Sequence, residues 1–182
     1  MGTTPAAPIA ERFGLLFDAL DSDRDGAVTW QDYERLVDRY VTGYSLAPRD
    51  RRAQAVQASY QMLWLELLRH SQAPDERLGK DLFVVAMHRA AEDRSRFNMT
   101  EGVAEAAFDL LDTDRDDAIS GAEFLRYVKV LGSSAPVALA RFTGLDADGD
   151  GFISRGEFVL ASREYLFGDE PDSPGGFVFG VV

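Results

Sequence analysis

The chain has 182 residues, of which 46% are hydrophobic, and a formal net charge of −12. This hydrophobic fraction is ordinary for a globular protein, and the length allows one sizeable core or two small lobes. The negative charge argues against nucleic acid and anionic membranes as partners, and the absence of cysteine excludes disulfides, thiolate zinc sites and cysteine nucleophiles.

The N-terminal region predicts a short arm followed by a helix. Residues 1–8 contain two prolines among small residues and are predicted to be a flexible arm. They show neither the basic nor the apolar part of a secretory signal, and no apolar run has the length of a membrane span. We therefore expect a cytoplasmic protein that does not insert into membranes. Apolar residues at helical spacing predict the first helix between Ile9 and Leu20.

Residues 21–32 follow a twelve-residue pattern in which oxygens from positions 1, 3, 5, 7, 9 and 12 surround Ca²⁺. Gly26 at position 6 permits the positive φ of the sharp bend. Position 12 is Asp32 in place of the usual glutamate, and its shorter side chain reaches the ion with fewer oxygens. We therefore expect this loop to be the weakest Ca²⁺ site and the most tolerant of Mg²⁺. The predicted ligands are Asp21, Asp23, Asp25, Ala27 through its carbonyl, Thr29 and Asp32.

A second loop is predicted to have lost its metal. It follows a long helix expected over residues 48–70 and occupies residues 71–82, aligned by Leu78 at position 8. A calcium loop carries carboxylates at positions 1, 3, 5 and 12, and here only position 5, Asp75, is acidic. We expect this degenerate loop to keep its flanking helices, so that the N-terminal pair of helix–loop–helix hands spans residues 9–91.

The calcium pattern returns after a polar break at residues 92–97. Residues 112–123 carry carboxylates at positions 1, 3, 5 and 12, but Asp117 stands at position 6 in place of glycine. Aspartate tolerates the left-handed region better than most residues, so the bend costs free energy but is not forbidden. The predicted ligands are Asp112, Asp114, Asp116, Ala118 through its carbonyl, Ser120 and Glu123.

The fourth loop, residues 146–157, matches the calcium pattern at every defined position. The alternative is a solvated Asp/Gly-rich turn, which the apolar helical patterns on both sides disfavour. The helix before this loop begins at about residue 134. Its apolar stripe is predicted at Val137, Leu139, Phe142 and Leu145. The predicted ligands are Asp146, Asp148, Asp150, Phe152 through its carbonyl, Ser154 and Glu157.

The C-terminal pair of hands is predicted to span residues 98–167 and to be followed by a tail, 168–182. The tail begins with a helix-breaking segment and ends in the apolar residues 177–182, so we expect it to be docked on the core. Position-8 residues of paired loops are expected to join in short two-stranded ribbons. The predicted pairs are Val28 with Leu78 and Ile119 with Ile153.

Four hands, of which the second is degenerate, resemble calerythrin and the sarcoplasmic calcium-binding proteins. The wide spacing of the first pair, whose loops begin at residues 21 and 71 against 112 and 146 in the second, supports the resemblance, as does the sequence of residues 172–180. The resemblance implies an all-α fold of four EF-hands, with two packed pairs in a compact globule, and ligand roles for the residues assigned above. Asp32 and Asp117 depart from the usual loop pattern.

These patterns predict a monomeric cytoplasmic protein that binds three Ca²⁺ ions and buffers or transports calcium. The alternative is a calcium sensor that changes conformation and binds a target protein. Sensors expose a methionine-rich groove, whereas this chain has only four methionines and an apolar tail able to occupy such a groove. No enzyme is predicted, because spacing identifies no nucleophile or carboxylate partner for His70 or His88.

Overall fold

The structure is a computed structural model that describes residues 7–47, 49–93, 98–168 and 173–181. Most of the predicted arm, residues 1–6, and most of the polar break, residues 94–97, lie outside the described residues. The arm is nevertheless shorter than predicted, because Ala7 and Pro8 belong to the first turn of a helix. Proline is tolerated there because its missing N–H would have had no helical partner.

The described residues form eight α-helices, a C-terminal 3₁₀ helix and four short strands, which confirms the predicted all-α fold class. The α-helices are α1 (Ala7–Leu20), α2 (Trp30–Gly43), α3 (Arg51–Ser71), α4 (Lys80–Glu92), α5 (Asn98–Leu111), α6 (Gly121–Val130), α7 (Ala135–Leu145) and α8 (Arg155–Phe167). The strands are β1 (Ala27–Val28), β2 (Leu78–Gly79), β3 (Ala118–Ser120) and β4 (Phe152–Ser154), and the 3₁₀ helix is Pro174–Phe179. None of the helices in these described ranges is long and apolar enough to cross a membrane.

The four strands join the loops in pairs, as predicted. Strand β1 is antiparallel to β2 with Val28 opposite Leu78, and β3 is antiparallel to β4 with Ile119 opposite Ile153. All four of these side chains are fully buried. The degenerate second loop therefore keeps its structural role as the partner of loop 1.

Side-chain caps determine where several helices begin. Capping boxes start α2, α6 and α8, each formed between positions 9 and 12 of the preceding loop. Helix α3 begins at Arg51 and not at residue 48, because the Asp50 carboxylate accepts the backbone N–H of Arg52 and caps the helix there.

The two pairs of hands share one core. The long helix α3 packs against α2 and α4 of its own half and against α5 of the other half, and α1 also contacts α8. Buried apolar residues from both halves form one continuous cluster. This packing confirms the predicted compact globule.

Helix α7 is rotated relative to its predicted apolar stripe. Val137 and Leu139 are 39% and 69% exposed, so their assignment to the core was wrong. Leu145 is buried and Phe142 partly buried, as predicted, and the buried residue that the prediction missed is Ala138. These three positions also have helical spacing and form the face that packs against α6. Packing therefore buries the face of Ala138, Phe142 and Leu145 and leaves Val137 and Leu139 on the exposed face.

The described part of the tail, residues 173–181, packs into the core. Phe177, Val178 and Phe179 are buried, and the Phe177 ring lies edge-on to Phe124 and Phe158 at centroid distances of 5.1 and 5.4 Å. The hydroxyl of the buried Tyr127 donates a hydrogen bond to the Phe177 carbonyl at 3.0 Å. The tail thereby fills the space between helices of the C-terminal hands.

Candidate metal centres

Loops 1, 3 and 4 fold around the aspartate at position 1. In loop 1 the two carboxylate oxygens of Asp21 accept the backbone N–H groups of Asp25 and Gly26 at 3.0 and 3.1 Å. The position-1 aspartates of loops 3 and 4 accept the same two N–H groups of their own loops. The first carboxylate therefore organises the turn that carries the other ligands.

The bend at position 6 has a positive φ in each of these loops. Gly26 has a φ of 82° and Gly151 one of 89°, and Asp117 adopts 65° despite its side chain. The expectation that aspartate could occupy this position is confirmed. Its carboxylate accepts a hydrogen bond from Arg155 Nε at 2.9 Å, so the side chain is held outside the loop interior.

Three carboxylates converge in each of these loops. Within each group the oxygen atoms lie within 4.8 Å of one another. The groups are Asp21, Asp23 and Asp25; Asp112, Asp114 and Glu123; and Asp146, Asp148 and Glu157. The predicted ligands Asp32, Asp116 and Asp150 are not members of these groups. A set made only of carboxylate oxygens suits hard cations such as Ca²⁺ and Mg²⁺, so the residues present fit the predicted ions.

Position 12 closes loops 3 and 4 but not loop 1. The Glu157 carboxylate spans its loop, since one oxygen accepts the Ala147 N–H at 2.9 Å and the other the Ser154 N–H at 2.8 Å. Glu123 makes the equivalent bonds in loop 3. In loop 1 the N–H of Ser22 at position 2 donates to the Leu20 carbonyl, and Asp32 accepts only the Thr29 N–H from the backbone, at 2.8 Å. The difference agrees with the shorter reach expected of aspartate.

Electrostatic repulsion and hydrogen bonding act on different carboxylates. Burial and the nearby charges of Asp116 and Glu123 raise the pKa of Asp114. Burial also raises the pKa of Glu123 and Glu157, but hydrogen bonds, beginning with the Ser120 and Ser154 N–H groups, outweigh it and hold both pKa values below the usual range. The two glutamates are therefore ionised at neutral pH, whereas Asp114 carries its charge at a cost in free energy.

Loop 2 keeps the shape of a calcium loop only in part. Glu76 at position 6 has a φ of 53°, so this bend is retained. Position 4 has a positive φ in the other three loops, but here it is Pro74, whose ring forbids that conformation. Of the loop's described residues, 71–82, none belongs to a group of converging metal-ligating side chains.

Two arginines that the sequence analysis did not single out contact the predicted ligands of loop 1. Arg35 on α2 donates to Asp23 at 2.8 Å and also pairs with Asp32. Arg77, at position 7 of loop 2, donates to Asp25 at 3.0 Å, and this hydrogen bond lowers the pKa of the Asp25 carboxyl. The spacing of Asp32 and Arg35 on one helix was a usable signal. No local pattern connects Arg77 with Asp25.

A further cluster, outside the loops, is an ion-pair network. His70 Nε2 lies 3.7 Å from Glu66 and 3.6 Å from Asp93, and His88 Nε2 lies 3.6 Å from Glu92. The expectation that spacing identifies no carboxylate partner for either histidine was therefore wrong, because Glu66 and Glu92 each lie one helical turn from a histidine on the same helix. Only Asp93 is brought to His70 by the packing of α3 against the end of α4. The Arg69 guanidinium contacts Glu66, His70 and Asp93 and occupies the space between them.

Comparisons with known proteins agree with this geometry. A family model described as EF hand matches residues 14–37 and 140–160, which include all of loop 1 and all of loop 4. A sarcoplasmic calcium-binding protein of Perinereis vancaurica tetradentata is 28% identical over 94% of this chain and 97% of its own length. Calerythrin of Saccharopolyspora erythraea is 23% identical over 87% of this chain and 92% of its own length.

Similarity to a solved structure extends over most of the fold. A calcium-binding protein of Streptomyces coelicolor, described in terms of prokaryotic calcium-mediated regulation, is 26% identical and superimposes with a TM-score of 0.72. The superposition covers 89% of this chain and 99% of the Streptomyces chain.

Proposed function

We propose that this EF-hand calcium-binding protein binds three Ca²⁺ ions and acts as a monomeric cytoplasmic calcium buffer. The chain is related to the sarcoplasmic calcium-binding proteins and calerythrin. The observation that carries the proposal is the convergence of three carboxylates in each of loops 1, 3 and 4. In the described structure loop 2 has no such group, which is why three ions and not four are proposed.

Each ion would take six to eight oxygens from a single loop, with water completing the set where the protein does not. Carboxylates supply the charge, and the carbonyl at position 7 and the residue at position 9 complete the ring. In loop 1 these are Asp21, Asp23, Asp25, Ala27, Thr29 and Asp32. In loop 3 they are Asp112, Asp114, Asp116, Ala118, Ser120 and Glu123. In loop 4 they are Asp146, Asp148, Asp150, Phe152, Ser154 and Glu157.

The buried tail supports a buffer over a sensor. A sensor responds to Ca²⁺ by exposing an apolar groove between its helices. Here Phe177 and Phe179 lie in the core, and Tyr127 holds the backbone of the same segment. Opening the C-terminal pair would expose these aromatic side chains to water as well as the groove, which raises the free energy of an open state.

Calorimetric titration should give three Ca²⁺ per chain. Changing the residue at position 12 of any one active loop should remove one equivalent, because the ion then loses the carboxylate charge that this position supplies. The three variants are Asp32→Asn, Glu123→Gln and Glu157→Gln. Millimolar Mg²⁺ should weaken Ca²⁺ binding at loop 1 more than at the other two loops, because Asp32 favours a smaller, six-oxygen shell.

The matched control for this titration is Asp75→Asn, which removes the one acid at a ligand position of loop 2 and should leave three ions bound. A stoichiometry of two or four in the unmodified chain, or the loss of an ion on changing Asp75, would contradict the assignment of the three sites.

The second candidate function is a calcium sensor. It is favoured by the similarity to the Streptomyces coelicolor protein, whose structure was described in terms of calcium-mediated regulation. A phenyl resin separates the two functions. The buffer should pass through in both Ca²⁺ and chelator, with calmodulin as a positive control that binds in Ca²⁺ and elutes with chelator. Calcium-dependent retention of this chain on the resin would contradict the buffer function and support the sensor function.

A further inference from the structure

In loop 1 the carboxylates at positions 3, 5 and 12 divide their oxygens between backbone and arginine. One oxygen of each accepts a backbone N–H group. Asp23 accepts the N–H of Asp25 at 3.3 Å, Asp25 accepts that of Ala27 at 3.0 Å, and Asp32 accepts that of Thr29 at 2.8 Å. The other oxygen of each contacts an arginine, which is Arg35 for Asp23 and Asp32 and Arg77 for Asp25.

Loop 4 has the same backbone hydrogen bonds without the arginines. Asp148 accepts the Asp150 N–H at 3.2 Å, and Asp150 accepts the Phe152 N–H at 2.8 Å. Within the described ranges no ion pair reaches a carboxylate at positions 1, 3, 5 or 12 of loops 3 or 4. Arg155 pairs with Asp117 at position 6 of loop 3, which is not a ligand position.

The fold delivers both arginines to loop 1. Arg35 lies one helical turn after Asp32 on α2, so it faces the same side of the helix. Arg77 directly precedes Leu78, and the pairing of Leu78 with Val28 places it beside the middle of loop 1. Arg77 therefore reaches Asp25 across 52 residues of sequence because the degenerate loop is still paired with its neighbour.

We propose that Arg35 and Arg77 are tethered counter-ions of loop 1, which compete with the divalent cation for Asp23, Asp25 and Asp32 and so lower the affinity of this loop below that of loops 3 and 4. The proposal rests on the proposed function, because it requires loop 1 to bind Ca²⁺. It also assigns a role to the second hand, which supplies a permanent positive charge to the ion site of the first.

The competition follows from which atoms the arginines use. In Asp23, Asp25 and Asp32 the oxygen that the backbone does not engage is the more accessible one for an incoming ion, and it is the oxygen that a guanidinium group contacts. Binding must therefore displace these groups or share the oxygens with them, and a second positive charge a few ångströms away opposes the ion. Because the arginine side chains are about half exposed, solvent screens each pair and the expected effect is moderate.

Nuclear magnetic resonance of the full chain measures each loop separately. The Gly26 and Gly151 amides donate to the position-1 aspartates of loops 1 and 4, so their resonances report ion binding at each loop. In a titration with buffered free Ca²⁺, the Gly26 midpoint is the Ca²⁺ concentration at which half of the change in the Gly26 resonance has occurred. The substitutions Arg77→Gln and Arg35→Gln should each lower this midpoint by about threefold, which lies within the range of free energies measured for exposed ion pairs. The Gly151 midpoint should not change. Arg77→Lys keeps the charge and should stay closer to the unmodified chain.

The control is Arg39→Gln, which removes the same charge from an exposed position one turn further along α2 and should leave the Gly26 midpoint almost unchanged. An unchanged or higher midpoint in both Arg77→Gln and Arg35→Gln would overturn the proposal, as would an equal effect of Arg39→Gln. A Gly26 resonance that ignores Ca²⁺ in every variant, while Gly151 responds, would instead refute loop 1 as a calcium site, and the proposal with it.

Discussion

Saturating Ca²⁺ is expected to raise the thermal midpoint of this protein by about 20 to 40 °C. An ion present at a hundred to a thousand times its dissociation constant stabilises the folded state by about 3–4 kcal/mol per site. Three such sites give about 9–12 kcal/mol, and each kcal/mol moves the midpoint of a chain of this size by about 2–4 °C.

The convergence of carboxylates explains why stability should depend on the ion so strongly. Each of the three groups brings carboxylate oxygens within 4.8 Å of one another, and in loop 3 burial together with the charges of Asp116 and Glu123 raises the pKa of Asp114. Without a cation these like charges oppose folding of the loop. The helices that begin and end at the loop are then less stable, because the loop no longer fixes their ends. Bound Ca²⁺ would offset this repulsion, because its positive charge attracts all of the carboxylates of the loop.

Thermal melts followed by far-ultraviolet circular dichroism, with excess Ca²⁺ or with chelator, measure this difference. The double variant Glu123→Gln, Glu157→Gln is the control, because it should lose most of the gain while keeping loop 1. Midpoints that coincide in Ca²⁺ and chelator would show that the sites are far weaker than proposed.

Removing the Phe177 ring should destabilise the Ca²⁺-saturated protein by about 3–5 kcal/mol, the range for a buried phenylalanine changed to alanine. The ring is 1% exposed and contacts Phe124, Tyr127 and Phe158 edge-on. In Phe177→Ala these rings would border a cavity. The loss would come from a residue only five positions before the last one of the sequence.

Urea unfolding in excess Ca²⁺ measures the loss, with Leu139→Ala as the matched control. Leu139 is 69% exposed on α7, so its removal should change the free energy of unfolding by less than about 0.5 kcal/mol. Equal effects of the two substitutions would mean that the tail does not contribute to the core.

Features that arise within one loop could be predicted from the sequence. The aspartate at position 1, the bend at position 6 and the capping box of the next helix all lie within twelve residues. Their geometry depends on neighbouring φ and ψ angles and on hydrogen bonds across a few residues. For this reason the positive φ of Asp117 was predictable, and the capping group at Thr29 was too.

Strand pairing between loops was predictable for a related reason. The apolar residue at position 8 is the same kind of residue in all four loops, so its place in the ribbon follows once the loops are aligned. The degenerate loop could be recognised in this way, since it has Leu78 at position 8 although it lacks most of the acidic ligands.

The sequence by itself thus predicted the number and spacing of the candidate calcium loops and the ligand residues proposed for them, because the pattern of each loop is local. Only the tertiary structure decided which face of α7 is buried, where the tail lies, and that Arg77 reaches Asp25. Each of these depends on contacts between segments far apart in the chain, where packing selects among faces and partners that local patterns leave equivalent. The charges around loop 1 are therefore a property of the paired hands and not of the loop alone.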